Sequence, residues 1–396
     1  MKFRIPFFLR THRLALTLLI VGVCGIGLYA FLSYQSPDEI IRECGDATNK
    51  PLCYSTHIEQ TLRTHGIPAA FDELAVAYDN DPEFAGTCHA VTHDLGKAAY
   101  EEFHKTGKTE LTSKASYCGY GFYHGFLDAL LVDTNDLAEA RSFCTYVGLN
   151  VPHPPSADFA EGSCYHGIGH GITDGTDPRL WGNALSIVRP GLALCTKVAG
   201  GNDTWESRCA SGVFNALGNM YPDAQYKLDP GTDPYALCRD GNFSPIDEEA
   251  CYDQMNTQAA ALGNNNLGAM VGFTNRIQDS HYRSVALHEA VSYYVQILKQ
   301  VQKDLSVQDV NVCELPTNEL KDSCVSGFVG GVFEFGSPGA QYKEVLAVCS
   351  SDSLASDLRG SCFSALVTNS KYFYTPDVVA GICKDVPVQY GALCQT

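Results

Sequence analysis

The feature that most limits what this chain can fold into is a recurring pair of cysteines. Apolar segments end in Phe143-Cys144, Leu194-Cys195, Leu237-Cys238, Val312-Cys313, Val348-Cys349 and Ile382-Cys383. A polar loop follows each, and a second cysteine then opens a new segment: Cys164, Cys209, Cys251, Cys324, Cys362 and Cys394. The partners are 20, 14, 13, 11, 13 and 11 residues apart. The simplest connectivity is sequential, each bridge stapling the end of one helix to the start of the next. Cys44–Cys53 and Cys88–Cys118 would complete eight pairs, using every one of the 17 cysteines except Cys24. No Cys-x-x-C occurs, so disulfides in an oxidising compartment are expected rather than zinc fingers or a redox pair.

The segments opened by these cysteines resemble one another in other ways. Glycine stands three residues after Cys118, Cys164, Cys209 and Cys324, at Gly121, Gly167, Gly212 and Gly327. Seven residues after come Gly125, Gly171, Ala216 and Gly331. Small residues four apart let helices pack closely. The units of Cys251 and Cys362 depart, with Gln254 and Ala365 at the first small position. A period of roughly 40 residues with one insertion predicts an all-α fold of αα-hairpin repeats. Seven inner helices starting near residues 88, 118, 164, 209, 251, 324 and 362 would form a closed α/α toroid or a curved superhelix. The insertion before Cys313 carries the longest helical pattern, Arg276–Leu305, with His281 and His288 on one face.

The N-terminus predicts a membrane anchor. Residues 1–13 carry Lys2, Arg4, Arg10 and Arg13 and no acid, and Leu14–Leu32 is an uncharged run. Such a run spans about 28 Å as a helix, close to the hydrocarbon thickness. The basic flank places residues 1–13 in the cytoplasm and the rest outside, with a single transmembrane helix at 14–33. A cleavable signal is the competing expectation, but no small-x-small cleavage site follows the run. Residues 34–86 read as a tether and entry helices, with one helix near Phe71–Tyr78. Residues 87–396 read as the repeat domain, His-rich over 87–175 and His-poor over 176–396. The net charge of −18 argues against nucleic acid as a partner.

Chemistry concentrates in three of the repeats. Cys164-Tyr165-His166-Gly167-Ile168-Gly169-His170-Gly171-Ile172-Thr173-Asp174 puts His166, His170 and Asp174 on one helical stripe. The corresponding stripes are Tyr120, His124 and Asp128, and His89, His93 and Lys97. Five of the twelve histidines fall here. In the later repeats the same positions are mostly polar: Ser211, Asn215, Asn219; Asp253, Thr257, Ala261; Ser326, Gly330, Glu334; Ser364, Thr368, Tyr372. Neutral imidazole suits zinc, copper and iron, so His89, His93, His124, His166 and His170 are expected to hold a metal centre. Asp128 and Asp174 are candidate bases or orienting groups, and Tyr120 a candidate donor to a developing oxyanion. The alternative for single histidines is a buried polar group satisfied by hydrogen bonds.

Two resemblances bear on these segments. His93-Asp94-Leu95-Gly96-Lys97 resembles the signature of HD-domain phosphohydrolases, an all-α family, and implies metal-dependent phosphoester hydrolysis. The glycine-marked inner helices with Cys164-Tyr165-His166-Gly167 resemble lanthionine-cyclase-type α/α toroids, and imply that architecture.

Together these features predict a membrane-anchored, extracytoplasmic metalloprotein, a metal-dependent hydrolase or oxidase acting on a small-molecule or peptide substrate. The competing expectation is a repeat scaffold that binds a protein or peptide partner along the polar stripe, its acidic charge favouring basic peptides.

Overall fold

The computed structural model describes residues 37–107, 109–151, 156–315 and 317–395. The described residues are helical, with short 3-10 turns and no strand among them. Eight long or central helices carry the polar stripe: α1 (Cys88–Thr106), α2 (Gly121–Thr134), α3 (Ser156–Asp174), α4 (Asp203–Met220), α5 (Pro245–Gln254), α6 (Ser280–Gln300), α7 (Asn318–Phe335) and α8 (Arg359–Phe373). Each packs against the next in order. The last helix of the series, α8, also touches α3. There the Phe373 ring lies 5.8 Å from Tyr120, and Tyr372 lies 5.4 Å from Phe159. The Tyr78 hydroxyl, on the helix Ile67–Asn80, donates to the carbonyl of Phe335 at the end of α7.

All eight disulfides join the sequential partners expected from the sequence. Five of them tie a helix or turn lying between the labelled helices to the one that follows: Cys144–Cys164, Cys195–Cys209, Cys238–Cys251, Cys313–Cys324 and Cys349–Cys362. Such a set of bridges belongs to an oxidising, extracytoplasmic compartment. The cysteines of these five bridges are buried in the core, so each of the five also acts as packing.

Helices α3, α4, α5, α7 and α8 start earlier than the cysteine positions imply. Asn202, Ser244 and Thr317 accept hydrogen bonds from backbone N–H groups in the first turns of α4, α5 and α7. Capping side chains fix where a helix begins, and Cys209, Cys251 and Cys324 therefore lie about a turn and a half inside.

Backbone contact between neighbours is close where glycine allows it. A side-chain carbon added at Gly125 would sit 1.9 Å from the His93 carbonyl oxygen, and one at Gly212 would sit 1.9 Å from that of His166. Only a residue without Cβ permits this approach. It brings the stripes of α1 and α2, and of α3 and α4, into side-chain contact.

The insertion reproduces one local contact seen elsewhere in the chain. The backbone of α6 meets α7 at Gly327 as that of α3 meets α4 at Gly212, with His288 in the place of His166. Counting back two residues, Ala286 occupies the position of the opening cysteine. The segment 37–86, expected as tether and entry helices, is helical and shares the main core through Ile40, Tyr54, Ile58, Phe71 and Leu74. Among the described residues no helix is long and apolar enough to cross a membrane. The expected anchor at 14–33 lies outside the described residues.

Candidate metal centre

The first three stripes meet side by side. His89 and His93 come from α1, His124 from α2, and His166 and His170 from α3. The ring of His124 is central, with centroids 5.6 Å from His89, 5.2 Å from His93, and 4.9 Å from both His166 and His170. Two groups of three have their nitrogens within 4.8 Å of one another: His89, His93 and His124, and His124, His166 and His170. His124 and His170 are nearly inaccessible, at 7% and 6% exposure.

Three rings are oriented by groups outside the cluster. His89 Nδ1 lies 2.7 Å from the carbonyl oxygen of Cys118, an acceptor, so this nitrogen carries the proton and Nε2 is left with its lone pair. His166 Nδ1 lies 2.8 Å from Ser211 Oγ. The Ser211 hydroxyl already donates to the Arg208 carbonyl at 2.8 Å, so it accepts from His166 and frees the Nε2 lone pair. His170 Nε2 donates to Asn215 Oδ1 at 2.8 Å, which leaves Nδ1 free. Metal-ligating histidines typically have their outer nitrogen held in this way. The sequence placed Ser211 and Asn215 on the stripe of the next repeat, and their structural part is to orient the histidines beside them. His89 Nε2 and His93 Nε2 are 3.2 Å apart. Two nitrogens bound at about 2.0–2.1 Å to one tetrahedral ion would be separated by a similar distance.

Electrostatics keeps four of these rings neutral. Burial pushes His89, His93, His124 and His166 below the ordinary imidazole range, and mutual proximity adds to the effect. A neutral imidazole is the form that binds a metal. Nδ1 of His124 is buried without a hydrogen-bond partner.

The candidate carboxylates flank one end of the cluster. Asp128, one turn beyond His124, is raised above the ordinary carboxylate range by burial and by the nearby charge of Asp174. Lys97 Nζ stands 3.4 Å from Asp128 Oδ2. Asp174 Oδ2 is 3.9 Å from His170 Nδ1, beyond a hydrogen bond, and its side chain is 45% exposed. Tyr120 lies at the opposite end with a left-handed backbone, φ 58°, packed against Phe159 and Phe373. Burial pushes its hydroxyl well above the ordinary phenol range.

The HD-type pairing does not form. Asp94 is exposed, and its carboxylate accepts from Ser55 on the helix Lys50–His65 rather than turning toward His93's partners. Cys164 is bonded to Cys144, which removes it as a thiolate ligand.

The centre opens on an internal cavity of about 230 Å³ that reaches α2, α3, α4, α5, α6 and α7. His89, His124, His166 and Tyr120 line one side. Asp253, Glu289 and Glu334 line the other, with Arg208 also contributing. No family model, curated protein or solved structure matches the chain.

The acidic wall was not singled out from the sequence. Burial raises Asp253, Glu289 and Glu334, which reach one another through the cavity, and Glu334 is pushed up to about 7. A hydrogen-bonded chain joins the two walls. His170 donates to Asn215, Asn215 donates to Gln254 at 2.6 Å, and Gln254 donates to Asp253 at 2.8 Å. Near the acids, His288 Nδ1 lies 2.9 Å from Ser326 Oγ, whose hydroxyl donates to Ser323. This repeats the His166–Ser211 arrangement. The usable signal was register: Asp253 and Glu334 occupy stripe positions of their repeats. By contrast, His281 pairs with Glu249 and His57 with Glu43, away from the cluster.

Proposed function

We propose that the chain is a membrane-anchored, extracytoplasmic metalloenzyme whose repeats close into an α/α toroid around a multi-histidine centre. The observation that carries this reading is the convergence of five imidazoles from three adjacent helices, three of them with their outer nitrogen committed elsewhere. Buried histidines acting only as core polar groups would have their nitrogens satisfied by protein, and Nδ1 of His124 is not. The centre borders a cavity, so an ion there keeps a coordination position for a ligand, as catalytic sites do. The cavity has room for a small molecule rather than a folded partner, which favours catalysis over a scaffold.

Zinc, copper and iron all suit a nitrogen-only ligand set. Hydrolysis is the favoured reaction. Asp128 stands beside the histidines with its proton affinity raised, as a general base needs, and the ion would supply an activated water. Lys97 positions the Asp128 carboxylate. Tyr120, at the cavity, is placed to donate to a developing negative charge. The uncharged run at 14–33, its basic flank and the disulfides support the anchored, outward-facing topology.

Metal content tests the proposal. The full-length chain, purified with its disulfides intact, should carry stoichiometric zinc, copper or iron. His166→Ala/His170→Ala should lose most of it while keeping its helical signal. Absence of metal in both, even after incubation with salts of all three, would sink the enzyme reading.

A further inference from the structure

The two histidine triads have a member in common. His89 and His93 reach His124 from one side, and His166 and His170 reach it from the other. One nitrogen lone pair serves one ion, so a single nitrogen of His124 can complete only one triad. His124 has two ring nitrogens, and among the described residues neither is engaged by a protein hydrogen bond. His89, His166 and His170 each commit one nitrogen to a protein acceptor outside the cluster, and His89 Nε2 and His93 Nε2 face each other at 3.2 Å. The ring with both nitrogens uncommitted is therefore the one that both pairs share. Nδ1 of this ring is also buried without a partner.

We infer that the centre holds two metal ions bridged by the His124 ring, one on His89 and His93, the other on His166 and His170. This rests on the metal reading above. His124 supplies one nitrogen to each ion. As the second ion binds, the ring proton passes to water and the imidazole becomes an imidazolate; no other bond breaks and no electron is transferred. Two divalent ions add four positive charges. The imidazolate offsets one, and the Asp128 and Asp174 carboxylates at the end of the cluster offset more. The bridge gives each half of the site three nitrogens and leaves both ions open to other ligands.

Copper is the probe, because a bridging imidazolate couples two Cu2+ spins. The full-length chain is stripped with a chelator, titrated with Cu2+, and examined by elemental analysis and electron paramagnetic resonance. The expected result is two copper ions per chain with a spin-coupled spectrum and integrated monomeric signal well below the copper count. His93→Ala and His170→Ala should each bind one copper and show a full-intensity monomeric spectrum. His124→Gln should abolish the coupling. Far-UV circular dichroism and a free-thiol assay establish that each variant is folded, and the two single-triad variants suffice if His124→Gln is not. One copper per chain in the unmodified protein, or two with independent spectra, would overturn the bridge while leaving a metal centre. No bound copper, together with no zinc or iron, would overturn the metal reading beneath it.

Discussion

The His-rich and His-poor parts of the chain share local helix contacts and differ in what they show to the cavity. In both, helices carry a polar stripe, disulfides tie helices to the segment before them, and a serine on the next helix fixes a histidine. His166–Ser211 and His288–Ser326 are the same pairing in the two parts. Beyond that the parts diverge. Residues around 89–174 present five imidazoles, whereas α5, α6 and α7 present Asp253, Glu289 and Glu334. The lesson is that the scaffold is indifferent to the chemistry. Glycine contacts and staples set the helix spacing, and a few stripe positions then decide what faces the cavity.

If the scaffold is uniform, damage to it should cost the two parts alike, and damage to the stripe should not. Removing one staple from each part is the harshest test. Cys144→Ala/Cys164→Ala and Cys349→Ala/Cys362→Ala should each lower stability by about 2–4 kcal/mol in denaturant unfolding. A large loss for one and none for the other would break the equivalence.

Closing the helix contacts is the next test. Gly125→Ala and Gly327→Ala place a methyl group 1.9 Å and 2.2 Å from the carbonyl oxygens of His93 and His288. Both should lose about 1–3 kcal/mol or more, as overpacked cores do. Only Gly125→Ala should also weaken metal binding, because it separates His93 from His124.

Acidity separates the two walls in the metal-free protein. His89, His93, His124 and His166 have lowered proton affinity when folded, so the unfolded chain binds more protons below about pH 6.5 and stability falls as pH drops through that value. Glu334 behaves oppositely. It is raised from its ordinary 4.5 to about 7, so the folded state holds a proton that the unfolded state has lost. Stability from this group falls as pH rises from 4.5 to about 7 and stays low above it. Glu334→Gln should therefore be nearly neutral at pH 4.5 and stabilising by roughly 1–3 kcal/mol at pH 8. Thermal unfolding across that range checks it; equal effects at both pH values would contradict the assigned burial.

The smallest effect is a control. Gly360, near the start of α8, has no atom within 4 Å of where a side-chain carbon would stand, and its backbone is not left-handed. Gly360→Ala should stabilise by about 0.4–1 kcal/mol through the unfolded state. A loss there would mean that α8 packs more tightly than described.

Much of this was legible in the sequence, for identifiable reasons. The bridges were readable because the loops between partners are short, so sequential pairing was the simplest solution. The histidine cluster was readable because similar offsets from the cysteines, displaced by one position at Cys88, put residues at similar heights on adjacent helices. The eighth stripe-bearing helix was hidden by Ala286, which stands where its relatives have cysteine. The helix starts were misplaced because Asn202, Ser244 and Thr317 cap the backbone upstream of the cysteines. The acidic wall was hidden because a carboxylate in a polar stripe looks like any solvated one. Only its enclosure in a shared cavity raises its proton affinity, and enclosure depends on helices far apart in the chain.

The most direct test of the central claim is where a metal sits. Crystals of the full-length protein, grown with its native metal retained, would be measured at that metal's absorption edge. Anomalous peaks should appear among His89, His93, His124, His166 and His170. A peak instead among Asp253, Glu289 and Glu334, or no peak in a protein shown to contain metal, would contradict the assignment of the chemistry to the histidine wall.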